Sequence, residues 1–232
     1  MNSVELKQNA ENIGIDLNEE MLEKLDIYCQ LLQEWNKKMN LTAIVETEDI
    51  YEKHFYDSIL PLEYINKGKL IDVGTGAGFP GIVFKIVRED LDITLLEPIK
   101  KRCIFLEEVI NQLNLKNIEV VNARAEDYVQ KKRESYDYAC ARAVANLNIL
   151  SELCIPFIKV GGIFLAMKGN KAEEEHRDAI GAIQLLGCDL HTKQSTTLSN
   201  EDIRINLFYK KEKETPNKYP RNYGAIKKKP LK

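Results

Sequence analysis

The chain has 232 residues, 44% hydrophobic and 30% charged, with a net charge of −3. That suits one α/β domain with an extension, or two small domains. No apolar run approaches the ~20 residues of a membrane span, and the five cysteines (29, 103, 140, 154, 188) and three histidines (54, 176, 191) suggest neither a disulfide framework nor metal-ligand spacing.

The first twenty residues, MNSVELKQNAENIGIDLNEE, carry neither an apolar signal core nor a basic leader, which points to the cytoplasm. From Asn18 to Asn40 the apolar positions 21, 22, 25, 28, 32, 35 and 39 form the stripe of an amphipathic helix. A second helical stretch, about 46–60, includes Ile50, His54, Phe55 and Ile59, and Pro61 ends or kinks it. Residues 1–66 therefore read as a helical extension.

The pattern changes at Lys69. Short apolar runs at 69–73, 92–97, 118–121, 136–141 and 162–168 alternate with helical segments at about 80–88, 100–114, 124–132 and 146–158. That alternation predicts a doubly wound, mostly parallel α/β sheet. After a helix near 171–186, two strands (188–196 and 204–211) are separated only by the turn residues LSNED, so they pair antiparallel. A terminal antiparallel hairpin on a parallel sheet belongs to class I, Rossmann-like methyltransferases. The main domain is expected over 67–213. Residues 214–232 follow as a basic tail, either part of the same globular unit or flexible.

Between the first strand and its helix runs Asp72-Val-Gly74-Thr-Gly76-Ala-Gly78-Phe79-Pro80-Gly81. Glycines here permit positive φ and let a ligand approach the backbone, and Pro80 suits the first helical turn. The motif fits two patterns. Gly76-x-Gly78-x-x-Gly81 with Glu97 downstream is the NAD fingerprint. Asp72-x-Gly74-x-Gly76-x-Gly78 is the nucleotide loop of methyltransferases. Asp72 two positions ahead of the first glycine, the terminal hairpin and the lack of a second catalytic domain favour the latter. S-adenosylmethionine is then the expected cofactor.

Glu97 ends the second strand, where an acceptor-only carboxylate can bind both ribose hydroxyls. Ala125, Glu126 and Asp127 follow the third strand, where an adenine edge would lie; for Asp127 the first turn of a helix accounts for the acid nearly as well. Arg142 follows the fourth strand. It can bind a cofactor carboxylate or substrate phosphate, or pair with Asp72 or Glu126. From Phe208 to Lys232 nine Lys or Arg stand against Glu212 and Glu214, an excess of seven positive charges, which leaves −10 on the remainder. Such asymmetry serves phosphate-rich partners or merely solubility.

Together these residues resemble the RsmG (GidB) family of bacterial small-subunit ribosomal RNA guanine-N7 methyltransferases. The resemblance runs along nearly the whole chain: Asn40-Leu-Thr-Ala-Ile44, His54-Phe-x-Asp-Ser58, the glycine turn, Lys101-Arg-x-x-Phe-Leu106, Arg124-Ala-Glu126, Arg142-Ala-Val-Ala145, Lys168-Gly169, Lys218-Tyr-Pro-Arg221 and Lys229-Pro-Leu231. It implies cofactor contacts around Gly74, Phe79, Glu97, Ala125, Glu126 and Arg142, to which the turn itself adds Asp72 and Gly76. The implied substrate is one guanine in the decoding-centre loop of 16S ribosomal RNA, as naked RNA, assembly intermediate or small subunit. The enzyme is expected to act as a monomer. The chain departs mildly from the family: Thr75 and Ala141 replace more usual serines, and Glu97-Pro98 a more usual Asp-Ser.

Guanine N7 has a lone pair and no proton, so methyl transfer to it needs alignment and dryness rather than a general base. The sequence contains no Asn/Asp-Pro-Pro-Tyr/Phe motif for exocyclic amines and no Pro-Cys or Thr-Cys for a covalent cytosine mechanism. No catalytic acid or base is named. His54 is the one residue that invites that role, and a structural histidine explains it equally. Arg142, Lys168 and Arg221 are the expected RNA contacts, and the tail's mix of cations and tyrosines suits phosphate contact with base stacking. A non-catalytic RNA-binding scaffold is the rival function, and the complete turn with Glu97 counts against it.

Overall fold

The computed structural model describes residues 1–142, 144–199 and 201–232. Ala143 of the Arg142–Ala145 segment and Asn200 of the expected hairpin turn lie outside them. In chain order the elements are α1 (Ser3–Asn12), α2 (Glu19–Met39), α3 (Thr47–Ile50), a π-helical stretch (Tyr51–Tyr56), α4 (Asp57–Ile59) and a 3-10 turn (Leu60–Tyr64). Then come β1 (Lys69–Val73), α5 (Gly81–Val87), β2 (Asp92–Leu96), α6 (Lys100–Gln112), β3 (Ile118–Val121), α7 (Ala125–Lys132) and β4 (Tyr136–Arg142). Last are α8 (Leu147–Cys154), a 3-10 turn (Ile155–Phe157), β5 (Ile158–Lys168), α9 (Ala172–Leu185), β6 (Cys188–Thr197), β7 (Ile203–Lys211) and α10 (Tyr223–Lys228).

The seven strands form one sheet in the order β3-β2-β1-β4-β5-β7-β6. β7 runs antiparallel to both β5 and β6, while β1 with β4, β2 with β3 and β4 with β5 pair in parallel. The terminal hairpin is therefore present, with its second strand inserted next to β5. The strand order reverses between β1 and β4, the kind of switch point outside whose carboxyl ends open α/β sheets bind ligands.

The chain divides into two compact units. One comprises Met1–Lys67 with Thr75–Asn122, the other Gly68–Gly74 with Ala123–Lys232. In the first, α2 starts at Asn18, whose side chain accepts from the Met21 amide, and ends at Asn40 in the left-handed conformation. Its buried stripe is Leu25, Tyr28, Cys29 and Leu32. As expected, the α-helix ends ahead of Pro61: α4 stops at Ile59, and the chain continues as the 3-10 turn with Pro61 in its first turn. Pro80 stands at the N-cap of α5, one residue earlier than expected.

In the second unit β5 begins four residues before its expected start, ahead of two glycines. Gly162 is needed there because a Cβ would lie 2.6 Å from the Asp137 carbonyl oxygen on β4. The 214–232 segment belongs to this unit. Tyr219 and Ile226 are buried, and Arg133 at the end of α7 donates to the carbonyls of Thr215 (2.6 Å) and Tyr219 (2.7 Å). All five cysteines are buried, free thiols.

Candidate cofactor site

In the first unit the turn leaves the sheet at Thr75, whose amide bonds the Leu96 carbonyl at 3.2 Å. Gly76 (φ 62°) and Gly78 (φ 100°) both adopt backbone conformations that favour glycine. The turn closes on itself through bonds from the Gly78 and Phe79 amides to the Thr75 carbonyl. Glu97, only 1% exposed, follows β2. Its Oε2 accepts the Gly76 amide at 3.0 Å and its Oε1 accepts the Ile99 amide at 2.8 Å. Arg102 stands 3.7 Å away. Asn122 Nδ2 donates to the Glu97 carbonyl (2.9 Å) and Cys103 Sγ to the same oxygen (3.3 Å). Of the expected cofactor residues, Gly76 and Glu97 are thus bonded to each other, and Phe79 lies on the same turn.

His54 is not aimed at an open cleft. It is 8% exposed, stacks on Phe79 with ring centroids 4.2 Å apart, and shares a hydrogen bond with Thr42 Oγ1 through Nε2. Tyr28, which the sequence shows only as one position of an apolar stripe, donates its hydroxyl to the Ala77 carbonyl at 2.5 Å.

In the second unit Asp72 is fully buried in β1, opposite Cys140 of β4. Arg142 is two residues further along β4, on the same face. Burial, and then the charge of Asp72, push the Cys140 thiol far above its ordinary range; burial and Asp72 do the same to Cys154. Both thiols are fully buried, an environment that disfavours the reactive thiolate. Gly74 (φ 72°) packs against Val144, whose Cγ2 a Cβ would meet at 3.0 Å. Ala125 and Glu126 open α7, where first-turn amides lack intrahelical acceptors.

Lys168 and Arg221 do not extend into solvent. Lys168 Nζ donates to the Ala145 carbonyl (2.6 Å) and to Glu175 Oε2 (2.8 Å), which also accepts the Leu147 amide. Lys168 thereby braces the backbone that follows Arg142. Arg221 donates through Nε, Nη2 and its backbone amide to Glu152, which is fully buried. These acidic partners carry no motif signal: Glu152 is a lone acid on α8 and Glu175 ends a run of three glutamates at the start of α9. The basic tail also shrinks: Lys211 is wholly buried, bonded to Glu134 Oε1 at 2.8 Å and to the carbonyls of Ile155 and Ile158. Lys218, Lys227, Lys228 and Lys229 remain exposed, and exposed Arg124 lies over the Tyr223 ring at 5.8 Å.

The family model of rRNA small subunit methyltransferase G (GidB) matches residues 21–203. A Clostridium botulinum (strain ATCC 19397 / Type A) protein named ribosomal RNA small subunit methyltransferase G is 48% identical over 233 residues, covering 98% of each chain. The chain belongs to this family of rRNA methyltransferases. Its fold is that of S-adenosylmethionine-dependent methyltransferases. One from Aquifex aeolicus superposes with a TM-score of 0.53 at 17% identity, over 76% of this chain and 97% of that one. Precorrin-6y C5,15-methyltransferase from Geobacter metallireducens gives 0.51 at 12% identity, over 66% and 86%. No helix among the described residues is long and apolar enough to cross a membrane.

Proposed function

We propose that this member of the family transfers the methyl group of S-adenosylmethionine to N7 of one guanine in 16S ribosomal RNA, acting as a cytoplasmic monomer. The observation that carries the reading is the Glu97 carboxylate bonded to Gly76 inside the glycine turn. Each carboxylate oxygen accepts one backbone amide, and a carboxylate has about four acceptor sites. Capacity remains for two ribose hydroxyls, so the donor and acceptor set fits the adenosyl group. The longer side chain of glutamate lets the same carboxylate reach the turn amide.

Bound there, S-adenosylmethionine would supply an electrophilic sulfonium methyl. Guanine N7 would use its own lone pair in that chemistry and has no proton to lose. The chain's residues therefore need to bind, align and exclude water. Asp72, Gly74, Phe79, Ala125, Glu126 and Arg142 are the further cofactor contacts in this reading, and Arg142 also faces the substrate. Lys168 and Arg221 serve the RNA side through the backbone they hold. Lys218 and Lys227 to Lys229, with Arg124 and Tyr223, supply phosphate attraction and a stacking surface.

Calorimetric titration with S-adenosylmethionine, S-adenosylhomocysteine and NADH tests the cofactor assignment. Micromolar binding of the first two alone is expected. Binding of NADH only, or of none, rejects it.

A further inference from the structure

Within the glycine turn, Ala77 is the residue with the least intrinsic backbone restraint on either side. It lies between two glycines, both at positive φ, and glycine loses more backbone freedom on ordering than any other residue. A ligand that had to order this segment on binding would be held less tightly. The N-terminal helices supply the missing restraint. Tyr28 is fully buried on α2 and donates its hydroxyl to the Ala77 carbonyl at 2.5 Å. Its ring stacks on Phe79, centroids 5.2 Å apart. A Cβ at Gly78 would come within 2.6 Å of the Tyr28 hydroxyl.

A second prop acts on Phe79. His54 stacks on it at 4.2 Å with rings 16° apart, and His54 is tied through Nε2 to Thr42 Oγ1 at 3.0 Å. Thr42 is gripped in turn by Asn36, which accepts its amide and donates to its carbonyl, both at 2.9 Å. One path thus runs from α2 through Asn36, Thr42 and His54 to the turn.

We infer that Tyr28 and His54 are positioning residues for cofactor binding: the helical extension pre-orders the turn through the Ala77 carbonyl and the Phe79 ring. The inference rests on the cofactor reading above. It assigns His54 a mechanical role and leaves methyl transfer without a base.

The test pairs two hydroxyl deletions in the same helical bundle. Tyr28→Phe removes the bond to Ala77 and keeps the ring. Tyr51→Phe removes a hydroxyl bonded to Asp26, away from the turn. Loss of one buried neutral hydrogen bond should raise the Kd and KM for S-adenosylmethionine about three- to tenfold in Tyr28→Phe. There kcat and the KM for RNA should stay within about twofold, and amide exchange at 76–79 should quicken in the ligand-free protein. Tyr51→Phe should lower Tm without these changes. Wild-type binding by Tyr28→Phe, or weakening in both variants in proportion to their loss of Tm, overturns the inference. A wild-type protein that fails to bind the cofactor rejects the cofactor reading instead, and amide exchange still decides whether Tyr28 orders the turn. For His54, His54→Ala should weaken cofactor binding and His54→Phe should restore it with an unchanged pH–rate profile. Loss of a titrating limb in His54→Phe would make His54 a base and contradict the assignment.

Discussion

The glycine turn and the C-terminal segment are both fastened by side chains remote in sequence, but by different forces. On its helical side the turn is held by a tyrosine hydroxyl on a carbonyl and by two rings stacked on Phe79. The C-terminal segment is held by charge. Lys211 meets Glu134, Arg221 meets Glu152, and Arg133 grips backbone carbonyls. A tyrosine–carbonyl bond responds little to salt or pH. Ion pairs respond to pH, and buried ones penalise the loss of one partner more than the loss of two. A segment whose composition reads as a solvated tail is consequently built into its unit, and only some of its cations face water.

The largest effect should come from breaking the charged side of this comparison. Arg221→Ala leaves Glu152 buried without its partner and should remove about 3–5 kcal/mol of stability in urea unfolding. Glu152→Ala should remove less, because the Arg221 side chain is 26% exposed and can turn to water. Equal losses would contradict the asymmetry.

Glu97→Gln is next. It substitutes a donor for an acceptor beside the turn, and calorimetry should show cofactor affinity about tenfold to a hundredfold lower, the range for hydrogen bonds to a charged group. An unchanged affinity would remove Glu97 from the ribose site.

Acid should loosen the charged clasp. Burial acts to raise the Glu134 carboxyl, but the Lys211 ammonium, the Thr215 amide and Arg133 outweigh it and hold it below the ordinary 4.5. A carboxyl lowered in the fold stabilises fully above its ordinary value and loses that contribution as pH falls through the lowered one. Unfolding midpoints should therefore drop below about pH 4.5, and Glu134→Gln should flatten that part of the profile.

The smallest effect concerns the exposed lysines. Replacing Lys227, Lys228 and Lys229 by Gln should reduce the salt slope of RNA binding by about 0.7 for each single-strand phosphate that the protein no longer neutralises, with Tm nearly unchanged. An unchanged slope would take this surface out of the RNA interface. Deleting everything after Lys218 is a poor substitute, since it also removes buried Tyr219 and Ile226.

Strand runs such as Lys69–Val73 and Ile118–Val121 make the sheet legible in the sequence, because they are short, apolar and flanked by turn residues. The glycine turn is equally plain, since positive φ leaves its mark as glycine. The early start of β5 is hidden: Gly161 and Gly162 look like a break, while the close β4 backbone is what demands Gly162. Two short helices, α1 and α10, are too brief to show a long apolar stripe, though Asn2 and Asn222 cap them with side-chain bonds to the amides three residues on. What composition cannot show is pairing at a distance. Lys211 and Arg221 count as tail charge until Glu134 and Glu152 are seen beside them, and Tyr28 is one more apolar position until its hydroxyl meets Ala77.

In the proposed function a guanine N7 is methylated from the braced turn without a base. Its most direct test is incubation of the purified protein with small ribosomal subunits, or their RNA, and methyl-labelled S-adenosylmethionine. The labelled nucleotide is then mapped by reduction and strand cleavage, which occur selectively at 7-methylguanine. The account predicts one cleavage site in 16S ribosomal RNA that requires both protein and cofactor. Label on an exocyclic amine or a pyrimidine carbon, or no incorporation by a protein that binds the cofactor, would contradict it.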